Sequence, residues 1–171
     1  ISADSRQVYR GLDIGSGKDL EEYGSTPYHL IDVTDPGYEF SLFDFAQAFS
    51  NAFSEIKSRN RLPILCGGTG LYLDAVLQGY ELVKVGENKV LRQELEPLPL
   101  AALQERLQAL RPEQHNTTDL EDRSRLIRAI EIAVGEELAT ARPLKLPDLN
   151  PRIFGLRWPR ELLRKRITQR L

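Results

Sequence analysis

Four stretches of this sequence hold residue types that could do chemistry. Gly67-Gly68-Thr69-Gly70 follows the apolar run Ile64-Leu65-Cys66 and precedes a helical pattern. Glycines there would let the backbone approach a ligand, the free N–H groups of the following helix would face an anion, and Thr69 adds a hydroxyl. The same residues also read as a tight strand-to-helix turn with Thr69 as a plain N-cap. Asp4 heads the loop Asp4-Ser5-Arg6-Gln7 after Ile1-Ser2-Ala3; it is a carboxylate placed as a general base would be, although spacing alone favours an N-cap or turn aspartate. Arg166 and Arg170 share one helix face, where two guanidiniums suit a diphosphate or simply form a solvated basic face. Arg125 and Arg128, with Arg123 nearby, could contact a nucleic-acid backbone or pair with Glu121, Asp122 and Glu131.

Asp13-Ile14-Gly15-Ser16-Gly17-Lys18-Asp19 looks like the end of a phosphate-binding loop, yet its spacing fails. The pattern G-x-x-x-x-G-K-[ST] needs glycine at position 12, which is Leu12, and a hydroxyl after the lysine, where Asp19 stands. The stretch reads as a glycine-rich surface loop.

The elements that must position these residues follow from periodicity. Tyr28 to Val33 reads as a strand closed by Thr34-Asp35-Pro36-Gly37. Ser41-Leu42-Phe43-Asp44 is a capping box opening a helix with Leu42, Phe45, Ala46, Phe49, Ala52, Phe53 and Ile56 on its buried face, ending at Arg59. Leu62 to Cys66 is a short strand, and the helix after Gly70 stops at Gly79. Strand, helix, strand, helix predicts a parallel sheet with covering helices. In such sheets ligands bind beyond the carboxyl ends of the strands, where the Asp4 and Gly67 loops fall. From about residue 86 to 140 only helices are expected, one carrying Leu100, Leu103, Leu107 and Leu110 behind Pro99, another capped by Asp119 with Leu126, Ile127 and Ile130 inward. Pro143, Pro147 and Pro151 mark a linker, Ile153 to Leu156 reads as a returning core strand, and Pro159 starts a last helix.

Composition excludes several classes. The chain has 171 residues, a net charge of −2 and a single cysteine, Cys66, so no internal disulfide forms and a cytoplasmic setting is expected. No run is long and apolar enough for a membrane helix, and two scattered histidines give no metal spacing. Charge is uneven: from Arg152 to Leu171 basic residues face only Glu161. The opening without methionine and the uncapped end suggest a piece of a longer protein.

In chain order, "ISADSRQVYRGLDIG", "YHLIDVTDPGYEFSLFDF", "PILCGGTGLYLDAVLQG", "VLR", "DRSRLIRAIEI" and "FGLRWPRELLRKRITQR" resemble the tRNA dimethylallyltransferases. The resemblance implies an α/β, P-loop-NTPase-like parallel sheet with flanking helices and a small all-helical insertion. Residues 1–83 would be core, 84–142 a tRNA-contacting insertion, and 150–171 a return to the core. It implies transfer of a dimethylallyl group from dimethylallyl diphosphate to the N6 amine of the adenosine 3′-adjacent to the anticodon, by a monomer.

By the same resemblance Asp4 is the base, and Thr69 stands beside the reacting centre, contacting the diphosphate and the target nucleotide of the tRNA. Asp4, Ser5, Arg6 and Gln7 receive the tRNA base. Arg92 and the segment Ser124, Arg125, Leu126, Ile127 and Arg128 contact tRNA, and Arg166 and Arg170 hold the diphosphate. Mg²⁺ would act on the diphosphate, held mainly by a P-loop that lies before Ile1 in the family; the chain as given is then expected to be a poor catalyst. Lys18 becomes a candidate phosphate or backbone contact from the rim. The family usually has Gly-Thr-Ala-Lys-Pro at 15–19 and a second histidine at Tyr28. The alternatives are a transferase acting on free adenine nucleotides, a P-loop NTPase or kinase, and a non-catalytic tRNA-binding module.

Overall fold

The computed structural model describes residues 1–112 and 118–170, the side chains of 118, 119 and 170 excepted. Its helices are α1 (Leu42–Ser58), α2 (Gly70–Gln78), α3 (Lys89–Leu95), α4 (Leu100–Leu110), α5 (Thr118–Glu121), α6 (Arg123–Glu137) and α7 (Arg160–Arg170), with a 3-10 turn at Leu20–Tyr23. The chain divides into two compact units, Ile1–Glu81 with Leu144–Leu171, and Leu82–Pro143.

The first unit is built on α1. Ser41 Oγ accepts from Asp44 N at 3.2 Å and Ser41 N donates to Asp44 Oδ2 at 3.0 Å, so the expected capping box forms. The expected face is inward: Phe45, Ala46, Phe49, Ala52 and Ile56 are buried, with Leu42 and Phe53 packed beside them. Phe45 stacks on Tyr72 of α2 at 3.9 Å between ring centroids. Burying such side chains stabilises by roughly 1.5–3 kcal/mol each. Ala3, fully buried in the same cluster, ties this core to the loop that begins at Asp4. Gly79 ends α2 in the left-handed conformation, φ 65°.

Among the described residues the parallel sheet of a P-loop-like α/β fold is absent. Among the described residues strand pairing is reduced to isolated parallel bridges such as Ser2 with Cys66 and Tyr9 with Thr34. The reason is local. Leu30 (φ 66°) and Asp32 (φ 56°) lie in the left-handed region, which breaks the extended run expected over Tyr28 to Val33. The returning strand is missing too: Ile153, Phe154 and Leu156 are 73%, 86% and 93% exposed, whereas strands of a parallel sheet are buried on both faces.

The second unit is helical. α3, α4 and α6 enclose Leu91, Leu95, Leu103, Leu107, Leu126, Ile127 and Ile130. α4 starts behind Pro99 and buries Leu103 and Leu107. The cap of α6 is Asp122, which accepts from Arg125 N at 3.0 Å; the side chain of Asp119, the expected cap, lies outside the described residues.

Candidate active site

Ile1 to Ala3 lies alongside Ile64 to Cys66. Ala3 N donates to Cys66 O at 2.8 Å and Cys66 N to Ile1 O at 3.0 Å, and Ser2 N donates on the other side to His29 O at 2.9 Å. The pairing ends with Thr69 N donating to Ala3 O at 3.1 Å, so the Asp4 loop and the glycine loop leave the pairing together. Gly67 is fixed by this approach: a Cβ there would stand 2.3 Å from the carbonyl oxygen of Ala3. At Gly68 and Gly70 a Cβ would meet nothing within 4 Å, so packing does not demand glycine at either.

Thr69 occupies the N-cap position of α2, but its hydroxyl makes no cap hydrogen bond. It accepts from Ser5 N at 2.9 Å and lies 3.3 Å from Ser5 Oγ. The hydroxyl thus belongs to the Asp4 loop rather than to the helix. Asp4 Oδ1 accepts from Arg6 N at 2.8 Å, which turns the loop; Oδ2 has no hydrogen bond among the described residues. Arg6 is exposed and Asp4 and Ser5 half-buried. The Gln7 amide is committed inward, accepting from Ser2 Oγ at 2.8 Å and donating to Gly17 O at 2.8 Å.

Lys18 is a correction. Its side chain is only 2% exposed, and Nζ donates to Tyr9 O at 2.7 Å, Asp13 Oδ1 at 2.7 Å and Asp32 Oδ1 at 2.5 Å. Those three acceptors use the three ammonium protons, so none is left for a phosphate at the rim. Burial pulls the ammonium pKa down, but the bonds to Asp13 and Asp32 outweigh it and hold the group above its usual value.

Arg166 stands 3.9 Å above the Trp158 ring, a cation–π contact on a helix exposed along its described length. Arg170 ends α7, and its side chain lies outside the described residues.

In the helical unit the arginines converge on one acid. Glu131, 1% exposed on α6, accepts from Asn88 N at 2.5 Å, Arg92 Nε at 3.0 Å, Arg92 Nη2 at 2.9 Å and Arg128 Nη1 at 2.5 Å. Burial pushes its carboxyl up, yet these donors prevail and hold it at about 2. Arg92 also meets Glu87 at 3.3 Å, and Arg128 Nη2 donates to Val85 O at 3.0 Å. Ser124 Oγ donates to Asp122 at 2.6 Å. Leu126 and Ile127 point into the core, at 0% and 7% exposure, so they offer RNA no side-chain surface. Arg125 is exposed with no ion pair among the described residues. Glu131 was visible in the sequence as a neighbour for Arg128 at helical spacing; its grip on Arg92 gave no sequence signal.

Both the helical body and the paired Asp4 and glycine loops bear comparison with known proteins. The IPP transferase family model matches residues 7–171. Over all of its 171 residues the chain is 63% identical to tRNA dimethylallyltransferase 2 of Syntrophotalea carbinolica and 58% identical to tRNA dimethylallyltransferase 1 of Geotalea uraniireducens, covering 57% and 56% of those proteins. The solved structure of the tRNA delta(2)-isopentenylpyrophosphate transferase of Staphylococcus epidermidis matches 99% of this chain and 58% of its own at 29% identity, with a TM-score of 0.54. The chain therefore belongs to the IPP transferase family. It spans a little over half the length of these curated relatives.

Proposed function

We propose that the protein containing this chain transfers a dimethylallyl group from dimethylallyl diphosphate to the N6 amine of the adenosine 3′-adjacent to the anticodon in tRNA. The observation that carries this reading is the bond from Ser5 N to Thr69 Oγ1, which joins a loop headed by a carboxylate to a glycine loop at a helix N-terminus. Attack and leaving-group departure need a base and an anion cradle side by side, and that bond ties the two together.

The amine lone pair attacks the allylic carbon, the C–O bond to diphosphate breaks, and the N6 proton passes to Asp4 Oδ2. Oδ1 is held by Arg6 N, so the carboxylate is oriented before the base arrives. Negative charge grows on the diphosphate, and fixed donors there lower the barrier. Thr69, the N–H groups of Gly70 and Leu71 at the start of α2, and Arg166 and Arg170 serve that role. Family membership implies Mg²⁺ on the diphosphate as a Lewis acid. Among the described residues no group of three or more His, Cys, Asp or Glu side chains stands together; Mg²⁺ is commonly held by one or two side chains with substrate phosphate and water, and no step is routed through the ion here.

The target base leaves its stack to reach the Asp4 to Gln7 loop, while Arg92, Arg125 and Arg128 meet the anticodon stem. The reading extends to a monomer working in the cytoplasm, as the family resemblance implies. No helix among the described residues is long and apolar enough to cross a membrane. The test offers dimethylallyl diphosphate with an anticodon stem-loop in one arm and AMP in the other, using protein at the full length of its relatives. Prenylation of the stem-loop adenosine is expected. Modification of AMP alone refutes the acceptor, and ATP hydrolysis without prenyl transfer refutes the class.

A further inference from the structure

Glu131 is an expensive residue to keep where it is. A carboxylate 1% exposed on the inward face of α6 loses its hydration, and a buried ion cluster is often no more stable than apolar residues of the same volume. Stability alone does not explain it. The donors it gathers come from separate elements: the backbone N–H of Asn88 that leads into α3, Arg92 one turn further on, and Arg128 one turn earlier on α6. One turn beyond Glu131, Gly135 lacks the side chain that would stand 2.4 Å from Val85 Cγ1, and Val85 O accepts from Arg128. The segment from Val85 to Arg92 is thus seated on α6, and both guanidiniums are clamped. Their side chains remain 33% and 28% exposed.

The clamp adds no charge. Arg92 and Arg128 are balanced by Glu87 and Glu131, so the group is formally neutral. What Glu131 contributes is order.

We propose that Glu131 is a positioning residue of the RNA-contact surface, holding the Arg92 and Arg128 guanidiniums in their binding geometry before RNA arrives. The proposal rests on tRNA being the acceptor. It makes a prediction opposite in sign to that of charge alone. Replacing Glu131 by glutamine adds one net positive charge, which by counterion release should tighten RNA binding. If order matters, the same change weakens binding, because two long side chains must be fixed at the moment of association.

The experiment measures anticodon stem-loop binding and steady-state prenylation for full-length wild type, Glu131→Gln and Glu131→Asp, each below its own unfolding transition. Aspartate keeps the charge but is one methylene too short to hold all its partners, and it carries the test if glutamine prevents folding. Both variants are expected to bind the stem-loop about tenfold more weakly. The KM for tRNA rises, while kcat at saturating tRNA and the KM for dimethylallyl diphosphate stay unchanged. Wild-type or tighter binding by either folded variant overturns the role, as does a loss confined to kcat and melting temperature. A wild type that ignores the stem-loop and modifies AMP overturns the acceptor reading first, and this role with it.

Discussion

Lys18→Met separates a structural lysine from a phosphate-binding one. Methionine keeps the unbranched stem in its buried slot and removes only the ammonium. Breaking a fully buried ion cluster costs about 3–5 kcal/mol when the partner charge is stranded. Here the partners are not fully stranded, because the Asp13 and Asp32 side chains are 68% and 31% exposed and water can reach them. The lost bond to the Tyr9 carbonyl adds to the cost. Together these give a loss of about 2 kcal/mol, which for a chain of this size lowers Tm by about 4–8 °C. Thermal unfolding followed by circular dichroism reads this directly.

The pH dependence has a definite sign. Lys18 is raised above its ordinary value of 10.5, so its stabilising contribution is fully present below that value and is lost as pH rises through the higher folded value. The gap between wild type and Lys18→Met should therefore close at strongly alkaline pH. In full-length enzyme the KM for dimethylallyl diphosphate should be unchanged. An unaltered Tm together with a raised KM would falsify the structural assignment.

Two further outcomes follow from the geometry. Gly67→Ala puts a Cβ 2.3 Å from the Ala3 carbonyl oxygen, so the pairing that carries the Asp4 loop must shift, at a cost of about 1–3 kcal/mol, visible in urea unfolding; Gly68→Ala, with nothing within 4 Å, should unfold as wild type. Glu131 is held at about 2, well below the ordinary 4.5, so its contribution is present above pH 4.5 and is lost as pH falls towards 2. It is worth up to about 3 kcal/mol. The stability difference between wild type and Glu131→Gln should shrink over that window, and a constant difference would show that the carboxylate charge is not what Arg92, Arg128 and Asn88 hold.

Local patterns were the legible part of this sequence. The Ser41 capping box and the apolar face of α1 depend on residues within a few positions of each other, and both stand as the spacing says. The sheet depended on pairing between distant segments. There the apolar runs Tyr28 to Val33 and Ile153 to Leu156 misled, because composition cannot show that Leu30 and Asp32 break the first and that the second stays exposed. Thr69 was open between cap and site; tertiary packing turns its hydroxyl to Ser5. Lys18 was a candidate phosphate contact by resemblance, as part of the loop downstream of Asp4. Its real partners, Tyr9, Asp13 and Asp32, follow no helical or strand period. The convergence of Arg92 and Arg128 on Glu131 is likewise a product of tertiary packing rather than of motif.

The central claim is that the joined Asp4 and Thr69 loops are the reaction centre, with Asp4 taking the proton from the amine. Asp4→Asn in the full-length protein tests it most directly, because the amide oxygen can still accept from Arg6 N and preserve the turn. Single-turnover transfer to an anticodon stem-loop, followed by mass spectrometry of the modified adenosine, should be slowed about 10²–10⁴-fold with stem-loop affinity retained. Transfer at the wild-type rate by that variant would contradict the account.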